Sequence, residues 1–176
     1  MIKINPSAGG QNKKSVKYVR PDWNEYFLGL IEPLSKRATC DRGRSSAIIA
    51  SKHNTILTTG YVGSAPGDKH CDEAGHLMVT MIDKQGNQSQ HCVRTLHAEE
   101  NAILQAAMDG IALRGATLYC KMTPCINCAR RIVRVGIKRV VAQKRYHADI
   151  QSRELFKRTG VKLDIVDDSL AKYDKQ

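Results

Sequence analysis

Two stretches of the chain decide its fold: His97-Ala98-Glu99, and Pro124-Cys125-Ile126-Asn127-Cys128. Residues i and i+2 point away from each other on a regular helix, so His97 and Glu99 can face one point only where the chain enters a helix. Thr95 is the predicted N-cap of that helix, and Gly110 is its predicted end. Proline fits the first turn of a second helix, so the two cysteines are expected one turn apart on one face. The stretches therefore predict two helix N-termini whose side chains converge.

The side chains at these helix starts form a ligand set. Two thiolates and one imidazole, from Cys125, Cys128 and His97, can bind Zn²⁺ and leave a fourth position for water. The metal would lower the pKa of that water to about 7, and Glu99 could move protons to and from it. A redox dithiol is the alternative for the cysteines alone, and a His-x-Glu pattern alone is weak. Together the two motifs favour a hydrolytic zinc site with Glu99 as its proton carrier.

Length and composition limit the class of protein. The 176 residues suffice for one domain with a hydrophobic core. We find no apolar stretch long enough to span a bilayer, and the first six residues lack the apolar region of a secretory signal. The six cysteines are not expected to form a disulfide framework, because at least two have a metal role. We therefore predict a cytoplasmic protein without a membrane span.

The formal net charge of +11 bears on possible partners. The basic residues cluster partly at Arg130, Arg131, Arg134, Lys138, Arg139, Lys144 and Arg145. A solvated helix face explains this cluster, and no stretch interleaves aromatic and basic residues as a platform for single-stranded nucleic acid would. Nucleic acid is therefore not the expected partner. A small phosphorylated substrate remains compatible with the charge, because it needs only one or two well-placed cations.

The apolar pattern divides the chain into a flexible extension at 1–20, a domain at 21–167 and a polar tail at 168–176. For the first half we predict a helix from Pro21, a hairpin of strands at 45–51 and 55–61, and a long irregular segment at 62–96. The second half has predicted helices from about His97, after Pro124 and at 150–159, with strands at 117–121, 139–142 and 162–166. This alternation predicts an α/β fold whose later strands are parallel.

The chain resembles the cytidine deaminase-like superfamily and, within it, the deoxycytidylate (dCMP) deaminases. The resemblance runs from about Trp23 to about Val166 and includes both metal stretches. It is also carried by Gly60-Tyr61, Ser64-Ala65-Pro66-Gly67, His70-Cys71, His91-Cys92-Val93-Arg94-Thr95, Gly115-Ala116-Thr117-Leu118-Tyr119 and Gly136-Ile137-Lys138-Arg139-Val140. The metal motif is that of the whole superfamily, and the His-Cys segments within 62–96 point to its nucleotide branch.

The resemblance implies a three-layer α/β fold, in which a five-stranded mixed sheet is flanked by helices. It implies zinc-dependent hydrolysis of dCMP to dUMP and ammonia. The implied metal ligands are His97, Cys125 and Cys128, the implied proton carrier is Glu99, and the implied substrate-binding residues are Tyr61, Ala98 and Tyr146. Capping of a sheet edge is the alternative role for Tyr146. A homo-oligomer, for example a hexamer, and the effectors dCTP and dTTP are also implied.

One departure from the family pattern concerns the substrate. The family usually has Gly-Tyr-Asn-Gly where this chain has Gly60-Tyr61-Val62-Gly63. The family's asparagine is expected to hydrogen-bond the sugar, and Val62 cannot. Losing such a polar partner can change specificity by orders of magnitude. Val62 therefore counts against an unchanged substrate, and against dCTP and dTTP as effectors.

A second metal site is also implied, because some dCMP deaminases carry a second zinc in the corresponding region. Its ligands in this chain would be Cys40, Cys71, Cys92 and His91, and two further histidines, His70 and His76, lie nearby in sequence. Such a site would tie the long segment 62–96 to the rest of the domain. The alternative is that these cysteines are ordinary buried thiols, since cysteine is often buried without a further role.

Two other functions remain open at this point. Deamination of a base in a nucleic acid, for example adenosine in a tRNA, is favoured by the positive charge. It is opposed by the length of segment 62–96, which is short in tRNA adenosine deaminases. A non-catalytic binding protein stabilised by zinc is opposed by Glu99, because a structural zinc site needs no proton carrier and usually takes a fourth protein ligand.

Overall fold

The structure is a computed structural model, and it describes residues 18–82, 86 and 88–171. Most of the predicted extension at 1–20 and part of the predicted tail at 168–176 lie outside the described residues. Within the described part of the tail, Ser169 and Ala171 hydrogen-bond the backbone of Arg145. In these described ranges, no helix combines the length and the apolar character needed to cross a membrane.

The described residues form helices and strands in the following order. The first half contains α1 (Trp23–Ser35), β1 (Ser46–Ala50), β2 (Ile56–Tyr61), β3 (Gly63–Ser64), α2 (Cys71–Ala74), β4 (Met78–Ile82), β5 (Gln88–Cys92) and β6 (Thr95–Leu96). The second half contains α3 (Ala98–Met108), β7 (Thr117–Met122), α4 (Ile126–Arg134), β8 (Arg139–Lys144), α5 (Ile150–Thr159) and β9 (Lys162–Ile165).

Five of these strands form the central sheet, in the order β2-β1-β7-β8-β9. β1 pairs antiparallel with β2 and with β7, whereas β7, β8 and β9 are parallel to one another. A helix follows β7 and another follows β8, because parallel neighbours need a crossover connection. The prediction of a mixed five-stranded sheet flanked by helices is confirmed. The predicted hairpin of β1 and β2 is present, and Asn54 in its turn has φ 61°.

The central strands are buried on both faces, which explains their unbroken apolar sequences. Alternate residues of β1 pack into different cores: Ile49 faces α3, α4 and α5, and Ile48 faces α1. The same alternation places Leu118 in the first core and Tyr119 against Phe27 of α1, with ring centroids 4.7 Å apart. The sheet is therefore the middle layer of three.

Helix α3 packs unusually close to β2, because residue 60 is glycine. A Cβ at Gly60 would overlap the backbone carbonyl of Ala98 and the backbone amide of Ala102. Two further bonds hold the helix to the strand: the Thr58 hydroxyl donates to the Ala102 carbonyl at 2.9 Å, and the Asn101 amide donates to the Tyr61 carbonyl at 2.8 Å. The first turn of α3 is thereby fixed against the sheet.

We expect Gly60→Ala to lower the free energy of unfolding by about 3 kcal/mol, because an added methyl group would push α3 off the sheet. Chemical denaturation monitored by circular dichroism would measure this loss. Gly29→Ala is the matched control, because a Cβ at Gly29 in α1 meets nothing within 4 Å. Equal stability of the two variants would contradict the close packing described above.

The segment 62–96 is more regular than predicted. β3 pairs with β6, and β4 pairs antiparallel with β5, so the segment contains two small sheets instead of one irregular loop. The strands β4 and β5 are largely exposed, which is why their sequence lacks the alternation that signals a buried face. The predicted N-cap was also wrong: Thr95 lies in β6, and His97 is the N-cap of α3.

Candidate metal centre and cavity

The two sequence motifs meet at the N-termini of two helices. His97 is the N-cap of α3 and Cys125 is the N-cap of α4, and both have extended backbone angles. Cys128 lies in the first turn of α4. The Nδ1 atom of His97 is 3.5 Å from the Sγ atom of Cys125 and 3.5 Å from that of Cys128. We call these residues the three-residue cluster.

These distances fit a bound zinc ion. A tetrahedral Zn²⁺ at about 2.3 Å from sulfur and about 2.0 Å from nitrogen separates neighbouring ligand atoms by about 3.5 to 3.8 Å. All donor atoms of the three-residue cluster lie within 4.8 Å of one another. Three protein ligands are the number found in catalytic zinc sites, where the fourth position is kept for water or substrate.

Glu99 lies beside this cluster without belonging to it. Its side chain is 8% exposed, and its Oε2 atom is 3.8 Å from the Sγ atom of Cys128. Burial raises the pKa of the Glu99 carboxyl above the ordinary value, and the positive charge of His97 opposes this rise. A carboxyl group with a raised pKa can both accept and return a proton closer to neutral pH.

The ligand atoms strongly perturb one another's pKa values. The hydrogen bond with Cys125 and the charge of Glu99 raise the pKa of His97 to about 9. Hydrogen bonds with Cys128 and His97 lower the pKa of Cys125 to about 3, so this sulfur is a thiolate. The hydrogen bond with Cys125 and burial raise the pKa of Cys128. A metal that takes all three donors must displace the remaining protons, so its affinity rises with pH.

A cavity of about 140 Å³ opens onto the three-residue cluster. Its wall contains residues that are far apart in the sequence, namely Cys40, Arg42, Gly43, Ser45, Val62, His91, Cys92, Thr95, His97, Ala98, Glu99, Met122, Cys125 and Tyr146. The sequence had pointed to Ala98 and Tyr146, and both line the cavity. Ser45, Arg42 and Met122 were missed: Ser45 and Met122 lie at strand ends and Arg42 in the turn before β1, and no motif marks these positions.

Tyr61, the third residue predicted to bind the substrate, is not among the described residues that line the cavity. Among the described residues of the wall it is Val62 that faces the cavity. The position at which the family's asparagine was expected to contact the sugar is therefore occupied here by an apolar side chain.

A buried carboxylate ties together the two loops that carry Cys125 and Tyr146. Asp149 is 0% exposed, and its carboxylate accepts hydrogen bonds from the Thr123 hydroxyl at 3.0 Å and from Arg145 at 3.2 and 3.3 Å. The Thr123 hydroxyl in turn accepts the backbone N–H of Tyr146 at 2.7 Å. Because Thr123 precedes Pro124, this network fixes Tyr146 relative to the start of α4.

A second group of possible metal ligands lies in and around segment 62–96. The three predicted cysteines, Cys40, Cys71 and Cys92, come together, but the histidine among them is His76 and not His91. His91 adjoins Cys92 in β5 and points to the other side of that strand, where its Nε2 atom is 2.9 Å from the Ser89 hydroxyl. We call Cys40, Cys71, His76 and Cys92 the four-residue cluster.

The four-residue cluster has the features of a closed metal site. Its donor atoms lie within 4.8 Å of one another, with Cys71 and Cys92 sulfurs 3.6 Å apart and Cys40 sulfur 3.7 Å from His76 Nδ1. The other ring nitrogen of His76 is 3.0 Å from the Asp41 carboxylate. Histidine ligands commonly donate their second N–H to a carboxylate in this way. His76 can reach the cysteines because Gly75, at φ 74°, turns the chain back after α2.

The protonation of this cluster also suits a metal. Burial opposes ionisation of Cys92, but hydrogen bonds with the backbone of Arg94, with Cys71 and with the backbone of Leu77 lower its pKa to about 7. Burial and the neighbouring sulfurs raise the pKa of Cys71 to about 12. All six cysteines are free thiols in the structure. A cation would remove the cost of keeping three sulfurs and an imidazole this close.

The comparison with known proteins decides the family. The model of the "Cytidine and deoxycytidylate deaminase zinc-binding region" matches residues 21–144. The chain belongs to this deaminase family. The resemblance to the deoxycytidylate deaminases is thereby confirmed, together with the α/β fold and the prediction of a hydrolytic deaminase. The family match ends before the predicted domain boundary at 167, and that boundary stays a prediction.

Individual relatives agree with this membership. The "ComE operon protein 2" of Bacillus subtilis (strain 168) is 36% identical over 148 residues, which are 84% of this chain and 73% of that protein. The deoxycytidylate deaminase of Schizosaccharomyces pombe is 33% identical over 144 residues, which are 82% of this chain and 44% of that protein. The chain therefore spans less than half the length of this second relative.

A solved structure has the same fold. The dCMP deaminase of the cyanophage S-TIM5, in complex with dCMP and dUMP, has a TM-score of 0.66 and 25% sequence identity to this chain. The match covers 84% of this chain and 99% of the phage protein. The three-layer arrangement described above is thus shared with a deaminase of this family.

Proposed function

We propose that this chain catalyses the hydrolytic deamination of dCMP to dUMP and ammonia. The observation that carries the proposal is the three-residue cluster at two helix N-termini, with Glu99 buried beside it and a cavity in front of it. The deaminase family supplies the reaction class. The names of the S. pombe relative and of the phage enzyme supply the substrate.

The proposed mechanism assigns each group one task. His97, Cys125 and Cys128 would hold Zn²⁺, which when bound would lower the pKa of a water at the open position and so supply the nucleophile for C4 of cytosine. Glu99 would transfer both protons of that water in turn: the first to N3 as the C4–O bond forms, and the second, from the new C4 hydroxyl, to the amine that leaves C4. The C4–N bond breaks, a C4 carbonyl remains, and ammonia departs. Burial of Glu99 supports this role, because it raises the pKa of the carboxyl.

The cavity wall supports recognition of a pyrimidine ring near the cluster. The backbone of Ala98 at the start of α3 is the proposed contact for the base, and the ring of Tyr146 borders the same space. The Asp149 network holds Tyr146 in place. Val62 offers the sugar an apolar contact, so recognition of the nucleotide must rely on groups other than an asparagine at this position.

The four-residue cluster is proposed as a second, structural zinc site. Four protein ligands close the coordination sphere, in contrast to the three-residue cluster. The metal would join the residues after α1 to α2 and to the β4–β5 hairpin. Ordinary buried thiols remain the alternative, and the metal content of the purified protein decides between them.

A substrate panel tests the proposed reaction. We expect ammonia release from dCMP to exceed that from CMP, dCTP, cytidine, deoxycytidine and a short RNA. Deamination of the RNA alone would replace the proposal by a nucleic-acid deaminase, which the net charge of +11 favours. No release from any member by the zinc-loaded chain would favour the non-catalytic binding protein. The homo-oligomer, the effectors dCTP and dTTP and the cytoplasmic location stay predictions.

A further inference from the structure

The last described residues of the chain fold back onto the residue that follows β8. The Arg145 N–H donates to the backbone carbonyl of Ser169 at 3.0 Å, and the Ala171 N–H donates to the Arg145 carbonyl at 2.8 Å. Arg145 and Leu170 thereby form an isolated parallel bridge. We call residues 167–171 the closing segment. It satisfies both backbone hydrogen-bonding groups of Arg145.

Side chains add to this attachment. The Lys144 ammonium is 3.3 Å from the Asp167 carboxylate, and the Nε atom of Arg145 is 3.8 Å from the Asp168 carboxylate. The Asp167 carboxylate also accepts the Ser169 N–H at 3.0 Å, which turns the segment towards Arg145. Both acidic side chains are at least half exposed, so these ion pairs are weak. The attachment therefore depends mainly on the two backbone hydrogen bonds.

The guanidinium of Arg145 connects the closing segment to a buried carboxylate. Its Nε and Nη2 atoms donate to the two carboxylate oxygens of Asp149 at 3.2 and 3.3 Å. Such a bidentate pair fixes the orientation of both groups. Arg153 of α5 adds a longer ion pair with Asp149, at 3.8 Å. Because a buried charge is costly without its partner, the position of Asp149 depends on that of Arg145.

Asp149 in turn fixes the backbone of Tyr146 through one hydroxyl group. The Thr123 hydroxyl donates to Asp149 at 3.0 Å and accepts the Tyr146 N–H at 2.7 Å. Thr123 is 2% exposed, so water has little access to replace either bond. Among the described residues, Tyr146 is the member of this network that lines the cavity. The closing segment is thus joined to the cavity wall by an unbroken series of hydrogen bonds.

We propose that the closing segment positions the ring of Tyr146 for the bound nucleotide, acting through Arg145 and Asp149; this inference rests on the proposed function. Arg145, Asp149 and the closing segment are positioning residues, since they act through Tyr146. A side chain that is already held in place does not have to be ordered when the ligand binds. The closing segment therefore raises the affinity for the nucleotide without contacting it.

A shortened chain tests this inference by equilibrium binding, independently of turnover. The variant that ends at Asp167 lacks Ser169 and Ala171, and with them both backbone bonds to Arg145. In the zinc-loaded protein we expect its dissociation constant for dUMP to rise by about 3- to 10-fold, the cost of ordering one side chain on binding. Calorimetry also counts the binding sites. A merely structural role would lower the number of sites per chain and leave the dissociation constant unchanged.

The matched control is the variant that ends at Ala171, because it keeps every contact of the closing segment. It should bind dUMP as the full chain does. Ala171→Pro tests the same attachment at full length, because proline has no N–H to donate to Arg145. It should weaken dUMP binding in the same direction, by less than the shortening does. Thr123→Val should also weaken binding, and Thr123→Ser, which keeps the hydroxyl, should restore it.

A double-mutant cycle shows whether the closing segment acts through Tyr146. In the Tyr146→Ala chain, ending the protein at Asp167 should cause no further loss of dUMP affinity. An equal loss with and without the tyrosine ring would overturn the inference, and so would an unchanged affinity in the shortened chain that keeps Tyr146. Affinity for dUMP that depends on the closing segment, in a protein that does not deaminate dCMP, would instead refute the proposed reaction and keep the role of the segment.

Discussion

Replacing Glu99 by glutamine is expected to lower the rate of dCMP deamination by about 10²- to 10⁴-fold. Glutamine has nearly the shape of glutamate but cannot carry a proton from the attacking water to the ring and the leaving amine. Because Glu99 is not part of the three-residue cluster, zinc content and the thermal midpoint should stay close to those of the unmodified chain. Ammonia release, elemental analysis and a thermal melt measure the three quantities.

Glu100→Gln is the matched control, because it makes the same change one residue further along α3. The carboxylate of Glu100 pairs with Arg131 at 2.9 Å and is not among the residues that line the cavity in the described part of the chain. It should therefore deaminate dCMP at nearly the unmodified rate. Near-normal activity of Glu99→Gln would rule out the role assigned to this carboxyl, and loss of zinc in that variant would show that Glu99 supports the metal instead.

The second large effect is expected at the four-residue cluster. The double variant Cys71→Ser with Cys92→Ser should lower the zinc content from two equivalents per chain to one. It should also lower the thermal midpoint by about 10 °C or more, because the binding energy of a structural zinc is folding energy. Inductively coupled plasma mass spectrometry and differential scanning calorimetry are the measurements.

A cysteine outside both clusters provides the control for metal content. Cys120 is buried in β7, and its thiol donates to the Met122 carbonyl at 3.0 Å. Cys120→Ala should keep two equivalents of zinc, whereas Cys128→Ser should lose the zinc of the three-residue cluster and the proposed activity with it. One equivalent in both the unmodified chain and the double variant would mean that the four-residue cluster is a set of buried thiols.

The three-residue cluster could be predicted from the sequence because the position of each ligand is set by residues close to it in the chain. A histidine and a carboxylate two residues apart can converge only at a helix start, and a proline before the first of two cysteines marks another. The second motif also follows the central strand β7, whose apolar sequence Leu118-Tyr119-Cys120 indicates burial on both faces. These signals lie within a few residues of the side chains that they position.

The rest depends on contacts between distant parts of the chain. The exposed strands β4 and β5 give no periodic signal, so their pairing was not predicted. The sequence alone does not show that His76, and not His91, lies with the three cysteines of the four-residue cluster. That placement depends on the side of β5 to which Cys92 points and on the turn at Gly75. Arg42 is one of 28 Lys and Arg residues, and only the folded cavity distinguishes it from the others.

The direction of the strands separates the molecule into two unlike ends. β2, β7 and β8 all finish at the cavity, and β1 begins there, so the turns at the opposite end contribute nothing to the wall. The turn around His53 and Asn54 lies about 17 Å away, the length of a five-residue strand. An affinity tag or a surface linker inserted there should leave substrate entry unobstructed, which makes that turn the natural anchor for immobilising this protein.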